Sequence, residues 1–442
     1  MRTNFKLFTL LTALLISYSI HAQKTQYSRA ASQTGINVFE PGKVSEVDFD
    51  GLKLQIGGNF RQSFQMLKHE NIELTSDANT KLYPLGNGFN LAAANLNFDV
   101  QLDDGIRMYL ENYMASRHHN EFWVKGGYIQ IDKLPMFNNP TWFSDYVRVK
   151  IGHMEINYGD SHFRRSDGGN AMYNPFIENN IMDAFATEIG GEVYLFPTKD
   201  IMLMAGLTNG LIKNNIQDYS QAPVVAPGID SITTKAPSVL LKAAYDKSVK
   251  DLRFRISASM YHNASSPSNT LFSGDRTGSG YFGVLENAAW TNSTANHTSG
   301  RFNPAYRNTV TTFVINPFVK YKGLEFFGTI EKASGKNVNE KADAYDGKNR
   351  ATSQYAAELV YRFLPREQMF VGAKYNTVKS RLQGYTNDVT VDRFVVAAGW
   401  FPTKNLLLKG EYVNQTHEGF KANDIRNGGK FNGVVIEAVV GF

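Results

Sequence analysis

The feature that most constrains this chain is a strict alternation of apolar and polar residues that recurs along most of its length. It is clearest in residues 252–262. The apolar positions there are Leu252, Phe254, Ile256, Ala258 and Met260, and they alternate with Arg253, Arg255, Ser257, Ser259 and Tyr261. Successive side chains of a β-strand point to opposite faces, so this segment predicts a strand with one apolar and one charged face. A soluble β-sandwich can also alternate, but a sheet whose second face is charged would leave its apolar face in water.

Sixteen segments of this kind can be counted. They begin near Leu52, Leu91, Ile106, Phe122, Val147, Ala186, Ile201, Val239, Leu252, Thr311, Leu324, Gln354, Met369, Val391, Leu406 and Phe431. Bacterial outer-membrane barrels have an even number of strands, and the last segment, which alternates to Phe442, is typical of a closing strand. The sequence therefore predicts an all-β fold, a transmembrane antiparallel β-barrel of about 16 strands.

The connections between these segments alternate in length. Six are tight and rich in turn-forming Gly, Pro, Asp and Asn, at residues 103–105, 197–200, 247–250, 322–323, 365–367 and 402–405. Most of the others are longer, including residues 68–88 and 263–310. This asymmetry predicts short periplasmic turns and long extracellular loops. Residues 134–146 are an exception, a longer connection on the side of the short turns.

The N-terminal 50 residues divide into two parts. Residues 1–22 have a basic start, an apolar stretch and a small residue, Ala22, which predicts a signal peptide. The apolar stretch, about fourteen residues, is too short to span a bilayer. We expect residues 23–50 to be a periplasmic N-terminal segment. Within it, residues 35–50 have no clear period, and a plug inside the barrel is the alternative for them. Residues 51–442 are the predicted barrel.

Composition argues against several other classes of protein. The chain has no cysteine, which excludes disulfides, thiolate metal sites and cysteine nucleophiles. A formal net charge of +5 without a concentrated basic tract argues against a nucleic-acid partner. Neither a Gly-x-Ser-x-Gly nor a His-Glu-x-x-His motif occurs. We therefore expect no enzyme activity, no catalytic residues, no metal and no other cofactor.

The third long connection, about residues 155–185, is a candidate constriction loop. A sixteen-strand barrel encloses a lumen wide enough for water, so a selective channel needs a segment that narrows it. The candidate constriction residues are Asp160, His162, Arg164, Arg165 and Asp167. Charges of both signs across an opening would orient passing solutes. The alternative is a solvated loop tip.

Inward-facing positions of the predicted strands carry both signs of charge, with a slight surplus of cations. The candidate pore-lining residues are Arg148, Lys150, Arg253, Arg255, Lys374 and Arg393. Rings of arginine and lysine form anion pores, so this lining predicts a mild preference for anions. The alternative is that the charges form ion pairs that stiffen the barrel wall.

Residues 146–191 resemble the corresponding part of the porin-like outer-membrane proteins of Bacteroidetes, which are distantly similar to the phosphate-selective porins O and P. That family commonly shows Gly-x-x-x-x-Pro-Phe-Gly after its fifth strand. Here Gly152 is followed at the matching positions by Asn157, Tyr158 and Gly159, with Asn and Tyr in place of Pro and Phe. The resemblance implies a sixteen-stranded barrel, often trimeric, with the third loop folded into the channel.

Two functions are consistent with these features. The principal hypothesis is a porin in the outer membrane of a Gram-negative bacterium that allows passive diffusion of small hydrophilic solutes, with a mild, phosphate-like anion preference. Its expected partners are outer-membrane lipid, the solutes or anions themselves, and further copies of the chain in a homo-oligomer, a trimer. The alternative is a surface interaction or assembly protein that uses the barrel as a membrane anchor and binds partners through its long loops.

Overall fold

The computed structural model describes residues 24–90, 92–115, 122–167, 169–210, 235–289, 298–338, 340 and 349–442. The predicted signal peptide, residues 1–22, lies outside the described residues. Sixteen long strands carry the fold. They are β1 Lys53–Glu70, β2 Ala93–Asp103, β3 Ile106–Ala115, β4 Trp123–Ile131, β5 Val147–Glu155, β6 Thr187–Thr198, β7 Ile201–Thr208, β8 Ser238–Val249, β9 Leu252–Asn263, β10 Thr309–Tyr321, β11 Leu324–Lys336, β12 Arg350–Phe363, β13 Met369–Ser380, β14 Val389–Thr403, β15 Leu406–Glu418 and β16 Lys430–Gly441.

The strands close into a single antiparallel barrel. Each pairs with its neighbours in the chain, and β1 also pairs with β16, with Asn59 opposite Gly441 and Glu70 opposite Lys430. A two-residue strand, Gly88–Phe89, pairs with β1 as well. These pairings confirm the predicted fold class, and each predicted strand is present. The largest difference in a strand start is at β12, predicted from Gln354 and observed from Arg350.

The few helical turns in the described residues are short. They are α1 Thr141–Tyr146 and the 3-10 turns Gln33–Gly35, Ala78–Thr80, Pro135–Phe137 and Ser161–Arg164. Over the ranges given above, no helix has the length and apolar character needed to cross a membrane. The long connection between β4 and β5, which the sequence set apart from the other turns, holds both α1 and Pro135–Phe137.

Turn chemistry accounts for the tight end of the barrel. Two residues join β8 to β9 and β10 to β11, and in each turn a lysine, Lys250 or Lys322, has a positive φ of 52°. At Gly323 an added Cβ would lie 1.9 Å from the carbonyl oxygen of Arg362 in β12, so the adjacent strand leaves room only for glycine. The opposite end carries the long loops, as predicted.

The alternation places apolar side chains outside and polar ones inside. In β9, Ile256 is 51% exposed, whereas Arg255 and Ser257 on either side of it are buried. The same outward exposure recurs around the barrel at Leu54, Phe60, Leu207, Phe313, Leu359, Val396 and Ile436. A belt of this kind is covered by lipid in a membrane barrel, and water would not solvate it favourably.

The packed core lies within the lumen, where long loops meet the wall. The third loop, residues 156–186, contributes Phe176 and Ile177 to a cluster with wall residues such as Val395 and Phe431. The fifth loop, residues 264–308, adds Tyr281 to that cluster. Burial of these side chains offsets the entropy lost when the loops become ordered inside the barrel.

Candidate functional site

The first candidate residue of the third loop, Asp160, is anchored to the wall. Its carboxylate accepts hydrogen bonds from Arg255 at 2.7 Å and forms an ion pair with Lys242 at 2.8 Å. Its backbone N–H donates to Oδ1 of Asn316 at 2.9 Å. Burial raises the pKa of Asp160, but Lys242 and Arg255 outweigh burial and hold that pKa below its ordinary value. Asp160 is therefore ionised and links the third loop to strands β8–β10.

The other charged candidates of the loop are also paired. Arg164 lies 3.2 Å from the carboxylate of Glu358 in β12. Arg165 donates to both carboxylate oxygens of Asp183, at 2.7 and 2.8 Å, and to Asp167 at 2.7 Å. All of these groups are buried, so their charges are compensated by protein partners. The predicted role of the five candidates, Asp160, His162, Arg164, Arg165 and Asp167, as constriction residues stays a prediction.

His162 differs from the other candidates because its side chain lines a cavity in the lumen. Its Nε2 lies 2.8 Å from Oδ1 of Asn157, and its ring packs 3.9 Å from that of Phe163. Burial, and secondly the cation Lys242, lower the pKa of His162 well below its ordinary value. The imidazole is therefore neutral at physiological pH.

The fifth loop is clamped onto the third by an arginine. The Arg301 guanidinium contacts three carboxylates, Glu178 at 2.8 Å, Asp167 at 3.1 Å and Asp183 at 3.1 Å. Glu178 also accepts hydrogen bonds from Ser279 Oγ at 2.8 Å and from the N–H of Gly280 at 2.6 Å. The two loops therefore form one folded unit inside the lumen.

The third loop, the fifth loop or the N-terminal segment covers most of the candidate lining residues. Their partners are Asp132 and the carbonyls of Pro41 and Gly42 for Arg148, Asp246 for Arg253, Glu40 and Asp160 for Arg255, Glu358 for Lys374, and Gln415 with the carbonyls of Asn179 and Gly300 for Arg393. Buried charges need such partners because desolvation is costly. Lys150 is the exception, because no carboxylate of the described residues pairs with it. The pore-lining role of all six candidates stays a prediction.

A space large enough for several water molecules remains on one side of the lumen. A cavity of about 240 Å³ lies between strands β1–β5, the third loop and the N-terminal segment. It has room for on the order of ten water molecules. On the opposite side, the third loop packs so closely against β10–β13 that only about 30 Å³ is left. Of these two spaces in the lumen, the one along β1–β5 is the larger.

The walls of this cavity carry both charges, but two cations lack an acidic partner. Lys150 lies 5.0 Å and 5.3 Å from the ring centres of Tyr128 and Tyr194. Arg29 donates to the carbonyls of Gly35 and Phe163, and its guanidinium lies 3.7 Å from the ring centre of Tyr173. Neither cation has a carboxylate of the described residues within ion-pair distance.

The remaining charges of the cavity wall are largely internal pairs. Arg107 donates to Asp99 at 2.6 Å, and Lys125 donates to Asp275 of the fifth loop at 2.6 Å. Glu111 and Glu155 are the other acids in the wall. Over the described ranges, no three His, Asp or Glu side chains lie close enough to hold a metal ion. The cavity wall is therefore polar, with most of its charges paired within the protein.

The sequence patterns pointed to some of these residues but could not rank them. Arg107, Lys125 and Lys150 occupy inward positions of alternating strands, as do many other charged residues. Arg29 belongs to a stretch without a period, and Arg301, Glu178 and Asp183 lie in loops. No local signal in the sequence would have identified these four residues.

Comparisons with known proteins agree with the fold. No protein-family model matches the chain, and no curated protein sequence matches it. Among solved structures, the outer-membrane channel DcaP of Acinetobacter baumannii has a TM-score of 0.51 at 12% identity, over 89% of this chain and 98% of that one. An anion-selective porin from Comamonas acidovorans has a TM-score of 0.51 at 10% identity, over 88% of this chain and 100% of that one. The chain therefore has the fold of outer-membrane porins, a closed antiparallel barrel of sixteen strands, which fits a location in the outer membrane of a Gram-negative bacterium.

Proposed function

We propose that this protein is an outer-membrane porin that passes small hydrophilic solutes along the β1–β5 side of its lumen, with a mild preference for anions. The observation that carries the proposal is the cavity of about 240 Å³, whose wall holds Lys150 and Arg29 without acidic partners. A cation that is not neutralised by a neighbouring carboxylate attracts anions into a narrow space with low-dielectric walls. The acids Glu111 and Glu155 in the same wall keep the preference modest.

The proposal includes what the resemblance implies. By the resemblance, the chain would belong with the Bacteroidetes porin-like proteins related to the phosphate-selective porins and assemble as a trimer. The inward-facing cations would give a mild, phosphate-like anion preference, and without a catalytic motif the chain would have no enzyme activity. Its first 22 residues would be a signal peptide, residues 23–50 a periplasmic segment and residues 51–442 the barrel.

Ion selectivity in planar bilayers tests the proposal. Purified, folded protein should give stepwise conductance, and in a salt gradient the reversal potential should show a mild preference for anions. Lys150→Glu should shift the reversal potential toward cations, because it reverses an unpaired charge in the cavity wall. Lys199→Glu, on an exposed turn, is the matched control and should leave the reversal potential unchanged. Folded protein without conductance would reject the proposal.

A second function is favoured by one observation. The third loop, the fifth loop and the N-terminal segment fill most of the lumen, and Arg301 ties the two loops together at 2.8–3.1 Å. A barrel that serves only as a membrane anchor for a surface interaction protein has no need of an open lumen. Folded protein that never conducts, but whose loop surface captures a defined partner, would favour this function over the porin.

A further inference from the structure

The N-terminal segment crosses the lumen at the end of the short turns. Gln26 accepts a hydrogen bond from the N–H of Gly105, in the β2–β3 turn, at 2.8 Å. Gln33 donates through its backbone N–H to the carbonyl of Lys404, in the β14–β15 turn, at 2.8 Å. Lys43 lies 3.0 Å from the carboxylate of Asp132, next to β4. Residues 24–43 therefore reach the wall on several sides of the opening.

Glu40 joins this segment to two cations of the barrel wall. Its carboxylate forms ion pairs with Arg255 at 2.6 Å and with Lys242 at 2.8 Å, and it accepts a hydrogen bond from Nδ2 of Asn157 at 3.0 Å. Both cations also contact Asp160 of the third loop. One buried cluster thus joins the N-terminal segment, the third loop and the barrel wall.

Phe39, next to Glu40, adds an apolar anchor. Its ring is 5.5 Å from that of Phe318 in β10 and 5.7 Å from that of Phe163 in the third loop. The side chain is buried, and Phe327 of β11 completes the cluster. Edge-to-face aromatic packing of this kind holds the backbone close to the wall.

The segment also supports the main chain of the third loop. Arg29 donates to the carbonyl of Phe163 at 2.9 Å, and the hydroxyl of Tyr173 donates to the carbonyl of Ala30 at 2.5 Å. Arg29 is in addition one of the two unpaired cations of the cavity. The segment therefore both closes part of the opening and supplies charge to the space that is left.

Despite these side-chain contacts, the segment is not part of the sheet. It forms no strand, and within the described residues only one backbone–backbone hydrogen bond, from Gln33 to Lys404, joins it to the barrel. In residues 44–52, which follow the segment, exposed positions alternate with half-buried ones, and Val44 is 90% exposed. Nine extended residues reach roughly 30 Å. The segment can leave the opening without breaking any strand pair.

We propose that residues 24–43 are a gate across the short-turn end of the channel, latched by Glu40 and Phe39 and tethered by residues 44–52. This inference rests on the proposed channel function. Undocking the gate widens the passage and removes Arg29 from its wall. The open channel therefore has a higher conductance and a weaker preference for anions than the closed one.

Matched variants in the full-length protein test the gate. Glu40→Gln removes the charge from the latch at nearly constant volume, and Phe39→Ala removes the apolar anchor. The controls are Glu46→Gln and Val44→Ala, since both side chains are exposed in the adjoining tether, residues 44–52. Heat-modifiable migration on gels verifies that each barrel is folded. Docking is then measured without reference to conductance, by hydrogen exchange of residues 24–43 and by trypsin cleavage after Arg29 and Lys43.

The expected result is release of the gate by the latch variants alone. Removing the charge of Glu40 should lower protection of residues 24–43 by roughly a hundredfold to a few thousandfold, because it breaks a buried ion pair. Single-channel conductance should rise and anion preference fall, while both controls behave as the unmodified protein. Unchanged protection in both latch variants would overturn the latch. Release with unchanged, measurable conductance would overturn the gate alone. Release with no conductance in any variant would overturn the channel function and the gate with it.

Discussion

Replacing Arg301 by alanine should detach the fifth loop from the third without unfolding the barrel. The Arg301 side chain is 3% exposed and contacts three carboxylates at 2.8–3.1 Å. Without it, Glu178 loses its only ion-pair partner in the described structure, whereas Asp167 and Asp183 keep Arg165. Because burial raises the pKa of Glu178 and Arg301 is the main group that lowers it, the variant favours the protonated acid.

The size of the effect follows from the burial of this cluster. Removing one partner of a buried ion pair costs about 3–5 kcal/mol. Since about 1.4 kcal/mol is a factor of ten, the docking equilibrium of the loop should fall by roughly a hundredfold to a few thousandfold. The hydrogen bonds from Ser279 and Gly280 to Glu178 should be lost at the same time, because they depend on the docked loop.

Hydrogen exchange by mass spectrometry can measure this change. In Arg301→Ala, protection should fall in residues 278–284, and protection of the strands should remain as in the unmodified protein. Arg307→Ala is the matched control, because Arg307 is exposed in the same loop. Equal protection of residues 278–284 in both variants would refute the reasoning that Arg301 holds the loops together.

Two further outcomes follow from the structure. Gly433 has φ +147°, and an added Cβ would lie 2.1 Å from the carbonyl of Met66, so Gly433→Ala should weaken the β1–β16 closure by at least about 1–3 kcal/mol. On semi-native gels its unfolding temperature should drop well below that of Gly410→Ala, where the nearest atom is 4.0 Å away. Burial raises the pKa of Asp167, but Arg165 and Arg301 lower it by more, so the pKa in the folded protein lies below its ordinary value of about 4. The stabilising contribution of Asp167 is therefore complete above about pH 4 and is lost as the pH falls below that value. Intrinsic-rate-corrected protection of residues 165–180 should therefore be flat from pH 7 to 5, and a decrease in that window would contradict this account.

The barrel itself was predictable because its signals are local and repeated. Alternation has a period of two, so a segment such as Leu252–Asn263 reports its two faces without knowledge of the rest of the fold. Tight turns add a second local signal, as at Gly323, where only glycine fits. Such signals predicted the number of strands, their order and the side of the long loops.

The contents of the lumen were not predictable in the same way. Lys150 and Arg393 carry the same pattern signal, since both occupy inward positions of alternating strands. They differ because Arg393 is covered by the carbonyls of Asn179 and Gly300 from two loops, whereas Lys150 faces the cavity. Loop docking depends on contacts between residues far apart in the sequence, 93 positions for Gly300 and Arg393 and 214 for Asn179 and Arg393, which no short window of sequence contains.

Where residues 24–43 cover the wall, the interior of this barrel is a mainly polar core, whereas the third and fifth loops also bury apolar clusters. Charged side chains such as Arg148 and Arg255 contact this segment, so water can solvate their charges once the segment has undocked. An apolar core could not be opened so readily, because water would then meet hydrocarbon. A polar lumen therefore allows whole segments to dock and undock while the sheet stays closed. In the proposed channel, strand number sets the maximum width, and the free energy of docking residues 24–43 sets the width that solutes meet.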